Sequence, residues 1–212
     1  MKLNLRTFRP LLPVFLVFIV LFEAAAYTTL TPAPRERFFQ FYVLGPNRMP
    51  SGYYPNNSSL IQVGTNLVWY LGVSNQMGSL QFVDVRLKLG NATINPPNDT
   101  TAYPSPAPLI LDFKHFIVDN GTWEIPFTWK VLNFTTSRGG HSPILQVRIG
   151  NSTYSLQNTP ICTSPNSCTF RWIFELWTWN TALNDFQFGW WNGDQHRIAW
   201  LQLWFSLTPG AH

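Results

Sequence analysis

Apolar and polar residues alternate with a period of two along most of the chain after residue 37. This alternation is typical of β-strands that place one face against a core and the other in water. It predicts strands over residues 38–44, 66–73, 82–89, 109–118, 123–132, 144–149, 170–179, 186–191 and 197–207. Short, regularly spaced strands without helices between them predict an all-β, antiparallel sandwich of about 8–10 strands.

Three of these strands carry more detailed predictions. In residues 82–89 an apolar face, made of Val83, Val85, Leu87 and Leu89, is expected in the core. The alternate residues Asp84, Arg86 and Lys88 are expected in water. Pro126 has no backbone N–H to donate, which predicts an edge strand or a bulge at that point. Residues 197–207 are apolar on both faces, so we expect this strand to be covered on both sides.

The N-terminal 27 residues have the features of an export signal. Lys2, Arg6 and Arg9 precede a charge-free apolar run over residues 10–22, and Ala24 to Ala26 offer a cleavage site. The pattern fits a signal peptide, and residues 11–31 also fit an uncleaved signal anchor in a hydrophobic helix. We therefore expect a linker over residues 28–37, an extracellular domain over residues 38–208 and a short tail over residues 209–212.

Sequons for N-glycosylation are unusually frequent in the middle of the chain. The sequence has 17 Asn residues, and random placement would produce roughly two to three Asn-x-Ser/Thr motifs. Seven are present, at Asn56, Asn57, Asn91, Asn98, Asn120, Asn133 and Asn151. Most follow or separate predicted strands, including Asn98 in a loop over residues 94–108 that holds five prolines. The sequons predict covalent N-glycans on surface loops and a domain outside the cell.

Composition agrees with an exported domain and argues against nucleic-acid binding. Charged residues make up 11% of the chain, and three of its 14 Lys and Arg residues lie in the leader. The exported part is therefore close to neutral, and we expect no nucleic-acid partner. Cys162 and Cys168 are the two cysteines, and their short spacing in an exported chain predicts a disulfide.

Candidate chemistry is sparse. The four histidines are His115, His141, His196 and His212, and none lies within 20 positions of a cysteine. Asp194 with His196 is the one close acid–histidine pair, and no Gly-x-Ser-x-Gly nucleophile motif is present. We expect no metal, no cofactor and no enzymatic activity.

Tryptophans concentrate at the C-terminal end, where seven of the ten lie between residues 172 and 204. Large aromatic residues fill sandwich cores, and they also form contact surfaces. Both interpretations stay open at this stage. The candidate contact surface consists of Trp177, Trp179, Trp190, Trp191 and Asn192, in a part of the chain without sequons.

Residues 35–47 read R-E-R-F-F-Q-F-Y-V-L-G-P-N, and further matching residues follow as Tyr54-Pro55, residues 64–75 and Leu203-Trp204. This arrangement resembles the exported domain of an archaeal membrane-protein family of unknown function. The chain departs from the family pattern at Gln40 and at Gln76-Met77. The resemblance implies a membrane-tethered, immunoglobulin-like domain outside an archaeal cell, and it brings no catalytic residues.

Three hypotheses about function follow. The first is a glycosylated extracellular domain, tethered to the membrane by its N-terminal segment, that contacts an envelope protein or serves as an accessory subunit of a membrane complex. The second is a secreted filament subunit, cleaved after Ala26, whose residues 27–44 complete the sheet of a neighbouring copy. The third is a glycan-binding module that presents exposed, coplanar Trp rings.

Overall fold

A computed structural model describes residues 11–30, 36–135, 144–157, 162–164 and 167–207. The chain divides into two compact units, residues 1–36 and residues 37–212. In the first unit a helix, α1, covers Leu11–Leu30, so helix continues into the start of the predicted linker. Within the described residues, no helix has both the length and the apolarity needed to cross a membrane. Residues 31–35 of the linker and the tail over residues 209–212 lie outside the described residues.

The second unit is built from β-strands. In chain order these are β1 (Phe38–Leu44), β2 (Leu60–Ile61), β3 (Leu67–Gln76), β4 (Gln81–Asn91), β5 (Leu109–Ile117), β6 (Thr122–Thr135), β7 (Ile144–Ile149), β8 (Ser152–Gln157), β9 (Cys162–Ser164), β10 (Ser167–Asn180), β11 (Asp185–Phe188), β12 (Trp190–Asn192), β13 (Gln195–Arg197) and β14 (Trp200–Leu207). A single 3-10 turn lies at Pro55–Asn57 among the described residues. The predicted all-β class with one N-terminal helix is confirmed.

The strands form two main sheets and a small hairpin. The first sheet has the order β1-β3-β6-β7-β8, and the second has the order β2-β14-β10-β4-β5, with β9 and β11 also pairing with β10. Strands β12 and β13 pair with each other. Neighbours are antiparallel except for β2 and β14, which run parallel over two residues.

The two sheets share one apolar core. Aromatic rings from β6 meet rings from β10 across it: Phe127 and Trp172 lie 5.6 Å apart, and Trp129 and Trp172 lie 5.3 Å apart between ring centroids. Trp69 of β3 lies 6.4 Å from Phe174 of β10 in the same way. All five side chains are fully or almost fully buried. Contacts of this kind are those of a sandwich-like arrangement of two sheets.

The inner face of β4 matches its prediction, and the outer face does not. The inner-face residues Val83, Val85, Leu87 and Leu89 are completely buried. On the outer face, however, Asp84 is also completely buried and Lys88 is 7% exposed. The expectation that this face lies in water is wrong, because the sequence pattern of β4 does not reveal that another segment of the chain covers it.

Pro126 lies in β6, which is an interior strand of the first sheet. Strand β6 pairs with β7 only from Trp129 onward, and at Pro126 it has β3 alone as a neighbour. The proline therefore falls where one side of the strand is unpaired, as its missing N–H requires. The bulge of β6 lies further along, between Val131 and Asn133.

Residues 186–191 were expected to be one strand, but they belong to two, β11 and β12. Gly189 separates them with a φ of +79°, a conformation that favours glycine. An added Cβ atom there would lie 2.1 Å from the Arg197 carbonyl oxygen. The chain therefore turns at Gly189 and forms the β12–β13 hairpin.

Several residues in the segments 39–46, 54–55, 64–75 and 203–204 make defined contacts in the fold. The ring of Tyr42 occupies the space above Gly72, where an added Cβ atom would lie 2.1 Å from the ring. The Tyr54 hydroxyl donates to the Trp204 carbonyl oxygen at 2.6 Å, and burial raises the pKa of this hydroxyl above its usual range. Asn75 is fully buried and donates to the carbonyls of Ser79 and Ile117, both at 2.8 Å. These residues stabilise strand and loop packing.

Candidate contact surface

The five residues of the candidate contact surface do not form one continuous surface. Trp177 and Trp179 lie on the outer face of the second sheet and are partly exposed. Trp190 is 6% exposed and packs edge-on against the Phe39 ring, at 5.2 Å between centroids, so it belongs to the core. Trp191 and Asn192 lie in the β12–β13 hairpin, where the Trp191 ring stacks on His196.

The exposure of the tryptophans bears on the glycan-binding hypothesis. All ten tryptophans lie within the described residues, and Trp191 is the one with a large exposed fraction, 52%. Its stacking partner is the His196 ring, at 4.8 Å, and the Nε2 atom of His196 lies 2.8 Å from the Phe188 carbonyl oxygen. The ten tryptophans therefore do not present a row of exposed, coplanar rings.

Four rings on the outer face of the second sheet form a cluster that we call the aromatic face: Phe82, Phe116, Trp179 and Phe186. Phe82 stacks on Phe116 at 4.2 Å, and Phe186 lies 5.0 Å from Phe82 and 5.2 Å from Trp179. The strand pairing brings them together, since Phe82 lies opposite Phe116 and Trp179 lies opposite Phe186. Phe116 is 59% exposed. Of the four, only Trp179 was among the predicted contact residues, although the alternation in β4 and β5 places Phe82 and Phe116 on this face.

Next to the aromatic face, Arg86 covers Trp177. The guanidinium group lies 3.7 Å from the centre of the Trp177 ring, and its Nε donates to Asp84 Oδ2 at 2.9 Å. Burial raises the pKa of the Asp84 carboxyl, and the hydrogen bond from Arg86 opposes that shift. The other carboxylate oxygen of Asp84, Oδ1, is buried without a hydrogen-bond partner among the described residues. Trp177 is thus held by an ordered cation–π contact.

Residues 94–108, the proline-rich loop, cover the other half of this outer face. Glu175 of β10 is completely buried and accepts hydrogen bonds from the Ser105 backbone N–H at 2.7 Å and from Trp177 Nε1 at 3.0 Å. Lys88 Nζ lies 2.9 Å from the Glu175 carboxylate and donates to the Ser105 carbonyl at 2.6 Å. The buried ion pair therefore fastens the loop to the sheet.

Two more contacts hold the proline-rich loop. Arg171 of β10 donates to the Ile94 carbonyl and to Gln202 Oε1, and burial lowers the pKa of its guanidinium group. Trp200 Nε1 donates to Asp99 Oδ1 at 2.7 Å. The loop forms an open cavity of about 650 Å³ that is lined by its own residues, including Asn98 and Tyr103. Because Asn98 is a sequon residue, a glycan attached there would begin at this cavity.

The sequon asparagines differ in exposure. Six of the seven are exposed: Asn56, Asn57, Asn98, Asn120, Asn133 and Asn151. Asn91 is 4% exposed, and its Oδ1 atom accepts hydrogen bonds from the Thr93 backbone N–H at 2.9 Å and the Thr93 hydroxyl at 2.7 Å. A glycan is attached through the Nδ2 atom, and burial of the Asn91 side chain makes this atom inaccessible without local rearrangement.

The cysteines and histidines complete the candidate residues. Cys168 is buried and disulfide-bonded, and the backbone of Cys162 lies directly opposite it in the pairing of β9 with β10. In the part of the chain that the structure describes, no three His, Cys, Asp or Glu residues come together as metal ligands. His141 and His212 lie outside the described residues.

Comparison with known proteins does not identify a family. No protein-family model matches the chain, and no curated protein matches it either.

Proposed function

We propose that residues 38–207 form an exported, N-glycosylated, immunoglobulin-like sandwich that acts through protein contacts at the outer face of the cell membrane and performs no chemistry. In this proposal the aromatic face contacts another envelope protein or a membrane complex. The observation that carries this proposal is the group of four partly exposed rings on an outer sheet face. Aromatic side chains of this kind are enriched at the centres of protein interfaces.

The geometry of the rings supports a protein partner over a glycan. Trp179 and Phe186 meet at 80°, and Phe82 and Phe186 meet at 55° between ring planes. A sugar ring packs best on a flat aromatic platform, whereas this uneven surface suits branched and aromatic side chains of a protein. Arg86 and Lys114 border the rings and supply polar groups for the rim of such an interface.

The N-terminal segment directs export in this proposal. If it is retained, it holds the domain at the membrane; if it is cleaved after Ala26, the domain is secreted. Mass spectrometry of the native N-terminus separates these two forms. It also tests the filament hypothesis, which requires a chain that begins at Tyr27 and an open groove for a donated strand. The structure has β1 paired with β3 of its own chain over seven residues.

Chemical crosslinking of native cell envelopes, followed by mass spectrometry, tests the proposed contact. We expect crosslinked peptides that join β4, β5, β10 or β11 to one recurring envelope protein. Crosslinks that join β1 of one copy to the sheet of another would instead favour the filament subunit. An absence of crosslinks to any other protein would contradict the proposal.

A further inference from the structure

Strand β5 is an edge of the second sheet. Among the described strands, β4 is its one partner, so β5 has a second row of backbone N–H and C=O groups that faces no strand. Its residues Lys114, His115 and Phe116 are exposed. An edge strand of this length is a template for pairing with another chain.

The sequence of β5 is complementary to itself. On the outer face of the sheet it carries Asp112, Lys114 and Phe116 at alternate positions, opposite Arg86, Asp84 and Phe82 of β4. When two copies of this strand run antiparallel with Phe113 at the centre, Asp112 of each copy lies opposite Lys114 of the other. The two symmetry-related pairs each join opposite charges, which stabilises antiparallel sheets.

The positions of the two ends of β5 favour the same register. Strand β5 has nine residues, Leu109–Ile117, and Phe113 is the middle one. Pro108 precedes it and has no backbone N–H to contribute to a longer ladder, and a turn at Asn120 follows it. Full overlap of two such strands is therefore centred on Phe113. The irregular pairing with β4 is confined to the start of the strand, around Ile110.

We propose that two copies of this chain associate through β5, antiparallel and about a two-fold axis at Phe113, so that the second sheet continues from one copy into the other. A two-fold axis uses the same surface twice, which matches the self-complementary strand. Pairing covers Phe116 and Leu109, which are 59% and 51% exposed in the single copy. In the single copy, Lys114 and Asp112 are paired with each other. The proposal does not rest on the location or partner argued above, and Phe116 and Lys114 belong to both surfaces.

Charge reversal tests the association. The full chain and the variants Asp112→Lys, Lys114→Asp and the double variant D112K/K114D are compared by sedimentation velocity, with near-ultraviolet circular dichroism as the check on folding. We expect a dimer for the wild type and at least a tenfold weaker association for each single variant, because like charges then lie opposite each other. The double variant restores the opposite charges and the dimer.

A cysteine pair tests the register. Chains carrying D112C and chains carrying K114C are mixed under mild oxidation, and we expect a disulfide-linked heterodimer, with no linked dimer from either variant alone. Two outcomes overturn the proposal: equal masses for the wild type and all three charge variants, or stronger association when Lys114 is replaced. The second outcome would show that Lys114 protects the edge against pairing, as lysines do on many edge strands.

Discussion

At the residue scale, burial decides which sequence motifs are available to a modifying enzyme or to solvent. Asn91 and Asn98 lie seven residues apart and both head a sequon, yet one is 4% exposed and the other is exposed on the proline-rich loop. The same contrast separates Asp84, which is buried, from Asp112, which is 36% exposed on the next strand. The sequence alone marks these residues as equivalent.

We expect glycopeptide mass spectrometry of the native protein to find sugar at exposed sequons and to find Asn91 unmodified. The physical reason is burial of the Asn91 side chain, since the oxygens of Asn91 and of exposed Asn98 both accept a hydrogen bond from the backbone N–H two residues on. Asn98 provides the matched comparison. A high occupancy at Asn91 together with native folding would contradict the structure at this point.

Asp84 is expected to make stability depend on pH in a defined direction. Because burial raises its pKa in the folded protein, the folded state binds the Asp84 proton more tightly than the unfolded state. This contribution to stability is complete below the unfolded pKa, near 3.9, and is lost as pH rises through the folded value. Urea unfolding of wild type and Asp84→Asn should show that the wild type loses stability relative to the variant as pH rises from about 4. A constant difference would contradict this assignment.

At the element scale, the sequence predicts the positions of the strands much better than it predicts which segments cover them. Strands β1 and β7 match their predicted limits, and the inner face of β4 is as expected. Period-two alternation encodes these features directly. The sequence pattern does not reveal β2, β8, β9 and β13, which have two to six residues and little alternation. Nor does it reveal that the proline-rich loop covers Glu175, because that contact joins residues 70 positions apart.

The ion pair of Lys88 with Glu175 should hold the proline-rich loop on the sheet. Glu175→Gln leaves the Lys88 charge buried without an opposite charge, and breaking buried pairs of this kind costs about 3–5 kcal/mol. Urea unfolding should show this loss, and hydrogen exchange should show faster exchange in residues 94–106. Glu124→Gln is the matched control, since it breaks the partly exposed pair with Arg48 and should cost at most about 1 kcal/mol. Equal effects of the two variants would show that the loop is held by other contacts.

At the scale of the whole molecule, the two sheets have different roles. The first sheet contributes Trp69, Phe127 and Trp129 to the core. The second sheet contributes the other half of the core and also carries the proline-rich loop and the aromatic face on its outer side. The candidate contact surface and the aromatic face share only Trp179. Trp190 faces the core and Phe82, Phe116 and Phe186 join Trp179, because strand pairing, not sequence proximity, assembles the cluster.

The aromatic face is proposed to contact another protein of the cell envelope. The most direct measurement replaces Phe186 with a photo-crosslinking amino acid in living cells, with Gln40 on the first sheet as the matched control position. Gln40 is exposed and lies outside the aromatic face. We expect illumination to link position 186 to one recurring envelope protein and to leave position 40 unlinked. Equal crosslinking from both positions, or none from position 186, would contradict the claim.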